Sequence, residues 1–149
     1  GRKNSNLLPF LEQQHCIPDE LHVMLRITDV LFECLFFELS VKSTFNKKQK
    51  NNEMTIREQV ESTIHSIGIN IFKFNEPEKP KGKWRWTSLM GPDKLTILEK
   101  FPITTFILGQ RGKEIQKLWH DFFFLYKTMR KINLTDEDIV NFELSARQW

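Results

Sequence analysis

The chain has 149 residues and a formal net charge of +3; 40% of it is hydrophobic and 12% aromatic, with 13 Phe and 4 Trp against a single Tyr. This composition excludes a wholly disordered chain and predicts one compact module over residues 1–149 with a core of its own. The small positive balance permits a nucleic-acid partner without requiring one.

Cys16 and Cys34 make no CxxC pair, and Cys34 stands among apolar residues, so free thiols and a reducing, intracellular setting are expected. No charged-then-apolar leader precedes the first element, and Arg26, Asp29 and Glu33 interrupt the longest apolar run, so no membrane partner is predicted. The chain opens on Gly1 and stops at Trp149 directly after a helix-like run, which suggests an internal fragment of a longer parent.

The first predicted element is a helix from about Pro18 to Leu39. Pro18 suits a first helical position, and Asp19 and Glu20 place negative charge in the first turn. At 100° per residue His22, Arg26, Asp29 and Glu33 fall within about 60° of one another, and apolar residues take most of the remaining circumference. This helix is therefore expected to be central and buried nearly all round. The first unit, 1–40, joins this helix to the segment that leads into it. The second unit, 41–149, begins with a polar, basic connection, "SVKSTFNKKQKNNEM".

In "TIREQVESTIHSIG", Ile56, Val60, Ile64 and Ile67 keep helical spacing and Gly68 suits the position just past the end. The period then changes to two in "INIFKF" and "KWRWTS", predicting a small β-hairpin at about 69–88 with a loose tip. "GPDKLTILEKF" reads as a short helix opened by Pro92, left irregularly through "PITTFILGQ". A second strong helix carries Ile115, Leu118, Trp119, Phe122, Leu125, Tyr126 and Met129 on one stripe, with Phe124 opposite. The last helix begins at Thr135, with Asp138 completing a capping box and Leu134 set to staple against Ile139. Asn133-Leu134-Thr135 is formally a glycosylation sequon, but cap chemistry accounts for Thr135.

Three groups of residues could carry chemistry. The polar stripe of the first helix is either a solvated edge paired along the helix or one wall of a groove, in which Asp19 orients the His22 imidazole to hold a phosphate oxygen. "KPKGKWRWTS" interleaves Lys79, Lys81, Lys83 and Arg85 with Trp84 and Trp86, cation beside stacking surface; packing of both indoles inward, with the cations on the opposite face, is the simpler reading. His120-Asp121 matches the doublet of HD-type metal phosphohydrolases, with His22 or His65 upstream and Asp136 or Asp138 downstream to complete a site. The chain has no phosphate-binding Gly loop, serine-nucleophile motif or zinc spacing.

The order of "PFLEQQHCIPDELH", a long apolar helix, a basic loop, "WRWTSLMGPDKL" and "EIQKLWHDFFFLYKTM" resembles the catalytic core of Transib-type DDE transposases and the related V(D)J recombinase catalytic subunit. The resemblance covers most of the chain. Its sharpest piece is Asp-x-x-His, here Asp19 and His22, and it implies that His22 positions the scissile phosphate with Asp19 as its motif partner. It implies DNA contacts at Lys94 and Arg85, to which the charge pattern adds Arg26, Lys81 and Lys83.

The chain departs from that family in lacking the three catalytic acids and the zinc-binding Cys and His pairs; Glu143 in "FELSARQW" does not match the family's final helix. The resemblance therefore implies an internal slice, mainly α with a small β-hairpin: a helical insertion region adjoining an RNase H-like core. Such a slice holds no metal of its own and is inactive alone, Mg²⁺ being bound by the intact parent. The implied partners are DNA and the remainder of the parent polypeptide, with a homodimer allowed, and the implied setting is the nucleus. The rival reading is a non-enzymatic helical protein-interaction module.

Overall fold

The computed structural model describes residues 19–42, 44–47, 54–79 and 82–149. Among the described residues, six helices and one two-stranded hairpin follow in chain order: α1 (Glu20–Ser40), α2 (Ile56–Ser66), β1 (Phe74–Asn75), β2 (Arg85–Trp86), α3 (Gly91–Lys100), α4 (Ile103–Phe106), α5 (Gly109–Met129) and α6 (Asp136–Gln148). The expected architecture, mainly α with one small hairpin, is the one found.

α1 starts at Asp19, whose carboxylate accepts from the Leu21 and His22 backbone N–H groups, satisfying donors the first helical turn leaves open. Pro18, expected to open the helix, lies outside the described residues. Met24, Thr28, Leu31, Phe32, Leu35, Phe36 and Leu39 are buried, and the Thr28 hydroxyl donates to the Met24 carbonyl at 2.7 Å. Burial nearly all round is not what the fold delivers. α3 and α5 and the aromatic residues of the hairpin meet one side of α1, so Leu21, Val30, Cys34 and Phe37 remain exposed although they are apolar.

α2 carries a reciprocal capping box between Thr55 and Glu58 and ends in a Schellman arrangement. The Gly68 N–H donates to His65 and the Ile69 N–H to Ile64, with Gly68 at φ +100°. Gly68→Ala is expected to cost about 1 kcal/mol, read as a lowered denaturation midpoint, because a Cβ disfavours this backbone region.

The hairpin is shorter than the alternating sequence predicts: Phe74 pairs with Trp86 and Asn75 with Arg85, while residues 69–71 form a turn. At the next position in register the Lys73 carbonyl still accepts from the Thr87 N–H at 3.0 Å, and before it the chain turns away. Glu61 Oε1 accepts from Phe74 N–H at 2.7 Å, His65 Nε2 lies 2.8 Å from the Phe72 carbonyl, and the Ile69 N–H closes the end of α2. Side chains of α2 thus hold the edge of the first strand that faces away from β2.

α3 has Pro92 in its first turn, as the sequence suggests, and the irregular exit contains the single turn α4. Gln116 of α5 fixes that corner by accepting from the Ile103 N–H at 2.7 Å and donating to the Phe101 carbonyl at 3.2 Å. Gly112 lies so close to α4 that an added Cβ would sit 1.7 Å from the Ile107 carbonyl oxygen. Gly112→Ala is accordingly expected to destabilise by about 1–3 kcal/mol in chemical denaturation, since backbone must move to admit the methyl group.

Trp119 on α5 meets Phe32 and Phe101, and Phe36 on α1 meets Phe72, Phe74 and Trp86, so a continuous run of rings joins α1, α3, α5 and the hairpin. Phe124 points away from this core, as its register on α5 predicts. α6 has the expected Thr135–Asp138 capping box, but Leu134 and Ile139 are both exposed, and no residue of α6 is buried. The chain after it returns to α5 through Trp149, whose indole N–H donates to the Leu118 carbonyl at 2.9 Å.

Candidate functional site

The start of α1 builds the most specific polar arrangement. Oδ1 of Asp19 caps the helix, and Oδ2 lies 2.8 Å from His22 Nδ1. Spacing explains this: a capping residue and the residue three positions on share one side of the first turn, so one carboxylate serves both. The His22 side chain is 78% exposed, and Nε2 has no partner among the described residues. The imidazole is thus held by one nitrogen and open at the other.

The hydrogen bond from His22, followed by the backbone bond, holds the Asp19 carboxyl below its ordinary value. The capping contribution of the ionised form is therefore present at neutral pH and is lost as pH falls through that lowered value. In amide-exchange measurements, protection of the first turn of α1 is expected to fall in that acid range, and Asp19→Asn should remove the pH dependence.

Beyond His22 the polar stripe divides. Arg26 is exposed and has no ion-pair partner among the described residues. Asp29 instead pairs with Lys94 of α3 at 2.5 Å, and Glu33 with Lys83 of the hairpin at 3.2 Å. Lys94, expected on DNA, is 6% exposed and has its ammonium on Asp29. An α3 position facing α1 turns this lysine inward, so it pins two helices and offers no free charge to a phosphate in this arrangement.

In the hairpin both indoles are half-buried and turned into the module. Trp84 packs against Phe45 with Arg57 over its face, and Trp86 packs against Phe36. Lys83 and Arg85 are exposed, and Lys81 lies outside the described residues. Beside them an open groove of about 1020 Å³ runs between the C-terminal half of α1 and the hairpin tip, with Phe37, Val41, Glu76 and Glu78 among its walls. Sequence spacing does not reveal this groove, because its two sides are brought together only when the rings of β1 and β2 dock on Phe36.

The His120-Asp121 doublet has different partners: Gln116 lies 3.0 Å from His120 Nε2, and Lys117 pairs with Asp121. His65 is engaged with a backbone carbonyl and Asp138 with the cap of α6. Among the described residues no three His, Cys, Asp or Glu side chains gather in a way that could hold a metal ion. No described helix is long and apolar enough to cross a membrane. No family model, curated protein or solved structure matches the chain.

Proposed function

We propose that the chain is the DNA-handling helical part of a DDE-type cut-and-paste transposase, or of a recombinase domesticated from a transposable element, working in the nucleus, and that His22 positions a scissile phosphate. The observation that carries this reading is the 2.8 Å contact from Asp19 to Nδ1, with the opposite edge of an exposed imidazole open. In the imidazolium form both ring nitrogens donate, Nδ1 to Asp19 and Nε2 to a non-bridging phosphate oxygen. The carboxylate then fixes the ring and balances its charge.

Lys83 and Arg85 supply exposed charge for neighbouring phosphates, and Lys81 belongs with them by sequence. The catalytic acids, the RNase H-like core and the Mg²⁺ they bind belong to the remainder of the parent.

The test is binding of a labelled duplex across a salt series. Affinity should be weak and should fall steeply with salt, and replacing Lys81, Lys83 and Arg85 by Gln should lower the log–log slope by roughly 0.9 for each phosphate no longer neutralised. Binding that ignores salt, or that the triple variant leaves unchanged, removes the hairpin from DNA. A second reading, a helical interaction module, is favoured by the uncovered apolar side chains around α6, where Ile132 is 98% exposed and Val140 and Leu144 exceed half exposure. That module would bind its partner regardless of the three cations.

A further inference from the structure

The two edges of the hairpin are finished differently. β1 and β2 pair through Phe74–Trp86 and Asn75–Arg85, and just beyond them the Thr87 N–H donates to the Lys73 carbonyl at 3.0 Å. Hydrogen-bonded and non-bonded pairs alternate in an antiparallel ladder, so the backbone groups of Phe74 and of Trp86 point away from the partner strand. On the β1 side Glu61 meets that edge, accepting from the Phe74 N–H at 2.7 Å. The β2 side has no such cover. Among the described residues the backbone N–H and carbonyl of Trp86, and of Trp84 two residues before it, have no hydrogen-bond partner. This open edge borders the groove, whose opposite wall holds Phe37 and Val41 of α1, 58% and 66% exposed. Lys83 could screen such an edge, but its ammonium is drawn to Glu33 of α1 at 3.2 Å.

We infer that β2 accepts an extended peptide of a partner protein along this groove, as an antiparallel third strand. Open main-chain donors and acceptors call for a strand, because an extended backbone presents its own groups at the matching two-residue repeat. Side-chain chemistry follows from the register. Peptide residues opposite Trp84 and Trp86 share their face and turn toward α1, so they are apolar and cover Phe37 and Val41.

Charge complementarity fixes the remaining positions. The peptide residue between the two apolar ones lies opposite Arg85, which is exposed and has no ion-pair partner among the described residues, so that residue is acidic. Glu76 and Glu78 are exposed at the hairpin-tip end of the groove, also without ion-pair partners among the described residues, and they select a basic residue there. A strand antiparallel to β2 runs toward the tip, which orders the pattern as apolar, acidic, apolar, basic.

Fluorescence polarisation of the peptide fluorescein-Thr-Val-Glu-Val-Lys-amide, titrated with the whole chain, tests this. The assay contains no nucleic acid, so its outcome is independent of the DNA reading. In the antiparallel ladder the two Val amides donate to the Trp86 and Trp84 carbonyls and the Glu amide faces away. N-methylation of either Val should therefore lower affinity on the order of tenfold or more, and N-methylation of the Glu should leave it unchanged. Phe37→Glu should weaken binding to a similar degree without altering the unfolding curve, because that side chain is exposed. Arg85→Glu should also weaken binding, and a peptide with Lys in place of its Glu should restore it.

Absence of binding at millimolar concentration overturns the site. Binding indifferent to N-methylation overturns strand addition and reduces the contact to charge attraction, and loss at the Glu amide in place of the Val amides overturns the antiparallel direction. Binding that Phe37→Glu leaves unchanged puts the peptide outside the groove, and failure of the charge-swapped peptide on Arg85→Glu overturns the register.

Discussion

Phe36→Ala is expected to destabilise the module by about 3–5 kcal/mol, among the largest effects of any single truncation in its core. Phe36 is 2% exposed, and its ring lies 5.9 Å from Phe32, 5.7 Å from Phe72, 5.1 Å from Phe74 and 4.9 Å from Trp86. Removing it leaves a void where α1 and the hairpin share rings. Phe72 and Phe74 are held back from closing on that void, because their backbone is tied to α2 through His65 and Glu61. Part of the destabilisation should therefore appear as local loosening of the hairpin before global unfolding, with Trp84 and Trp86 reporting it by fluorescence. Phe124→Ala on α5 is the matched control, since that ring is 66% exposed and its removal should stay within about 0.5 kcal/mol. Similar midpoints for the two variants would show that the ring cluster does not hold the hairpin on α1.

The helices were legible in the sequence wherever a local signal and the hydrophobic period agreed. Thr135 with Asp138, Pro92 in a first turn and Gly68 past an end are each decided within a few residues, and each stands as read. Burial of α1 was less legible. Its apolar residues occupy two faces, and a helical wheel cannot say which face meets α3 and α5 and which remains open. Strand length in the hairpin failed for a related reason. Residues 69–73 have alternating pattern enough for a strand, but the Ile69 N–H closes the end of α2 and the Phe72 N–H closes a turn on the Ile69 carbonyl.

The candidate site was legible to the same local depth. Asp19 and His22 are three residues apart, so their pairing follows from helix geometry alone. The inward turn of both indoles also follows from alternation in a hairpin backed by an aromatic core. Lys94 was not legible. Its burial depends on where α3 crosses α1, and only that crossing brings it to Asp29, 65 positions earlier in the chain. The cation pattern of "GPDKL" is the same whether the lysine faces solvent or a helix.

His22→Ala is expected to slow strand cleavage by the parent enzyme on the order of 10²-fold or more while leaving DNA affinity almost unchanged. The asymmetry follows from where the imidazole acts. Weak duplex binding depends on many dispersed cations, so removing one exposed ring takes little from it. A donor aimed at a non-bridging oxygen strengthens as negative charge builds there in the transition state, so its absence falls on the chemical step. Folding should be indifferent, because His22 is exposed and Asp19 continues to cap α1 through Oδ1 on the Leu21 N–H at 2.9 Å. Asp19→Asn separates orientation from charge. It keeps a capping oxygen and an acceptor for Nδ1 but carries no negative charge beside the ring, so its cleavage defect should be smaller than that of His22→Ala. The measurement is single-turnover cleavage at matched DNA occupancy, wild type against each variant. Equal rates for wild type and His22→Ala would reduce the Asp19–His22 pair to a helix cap.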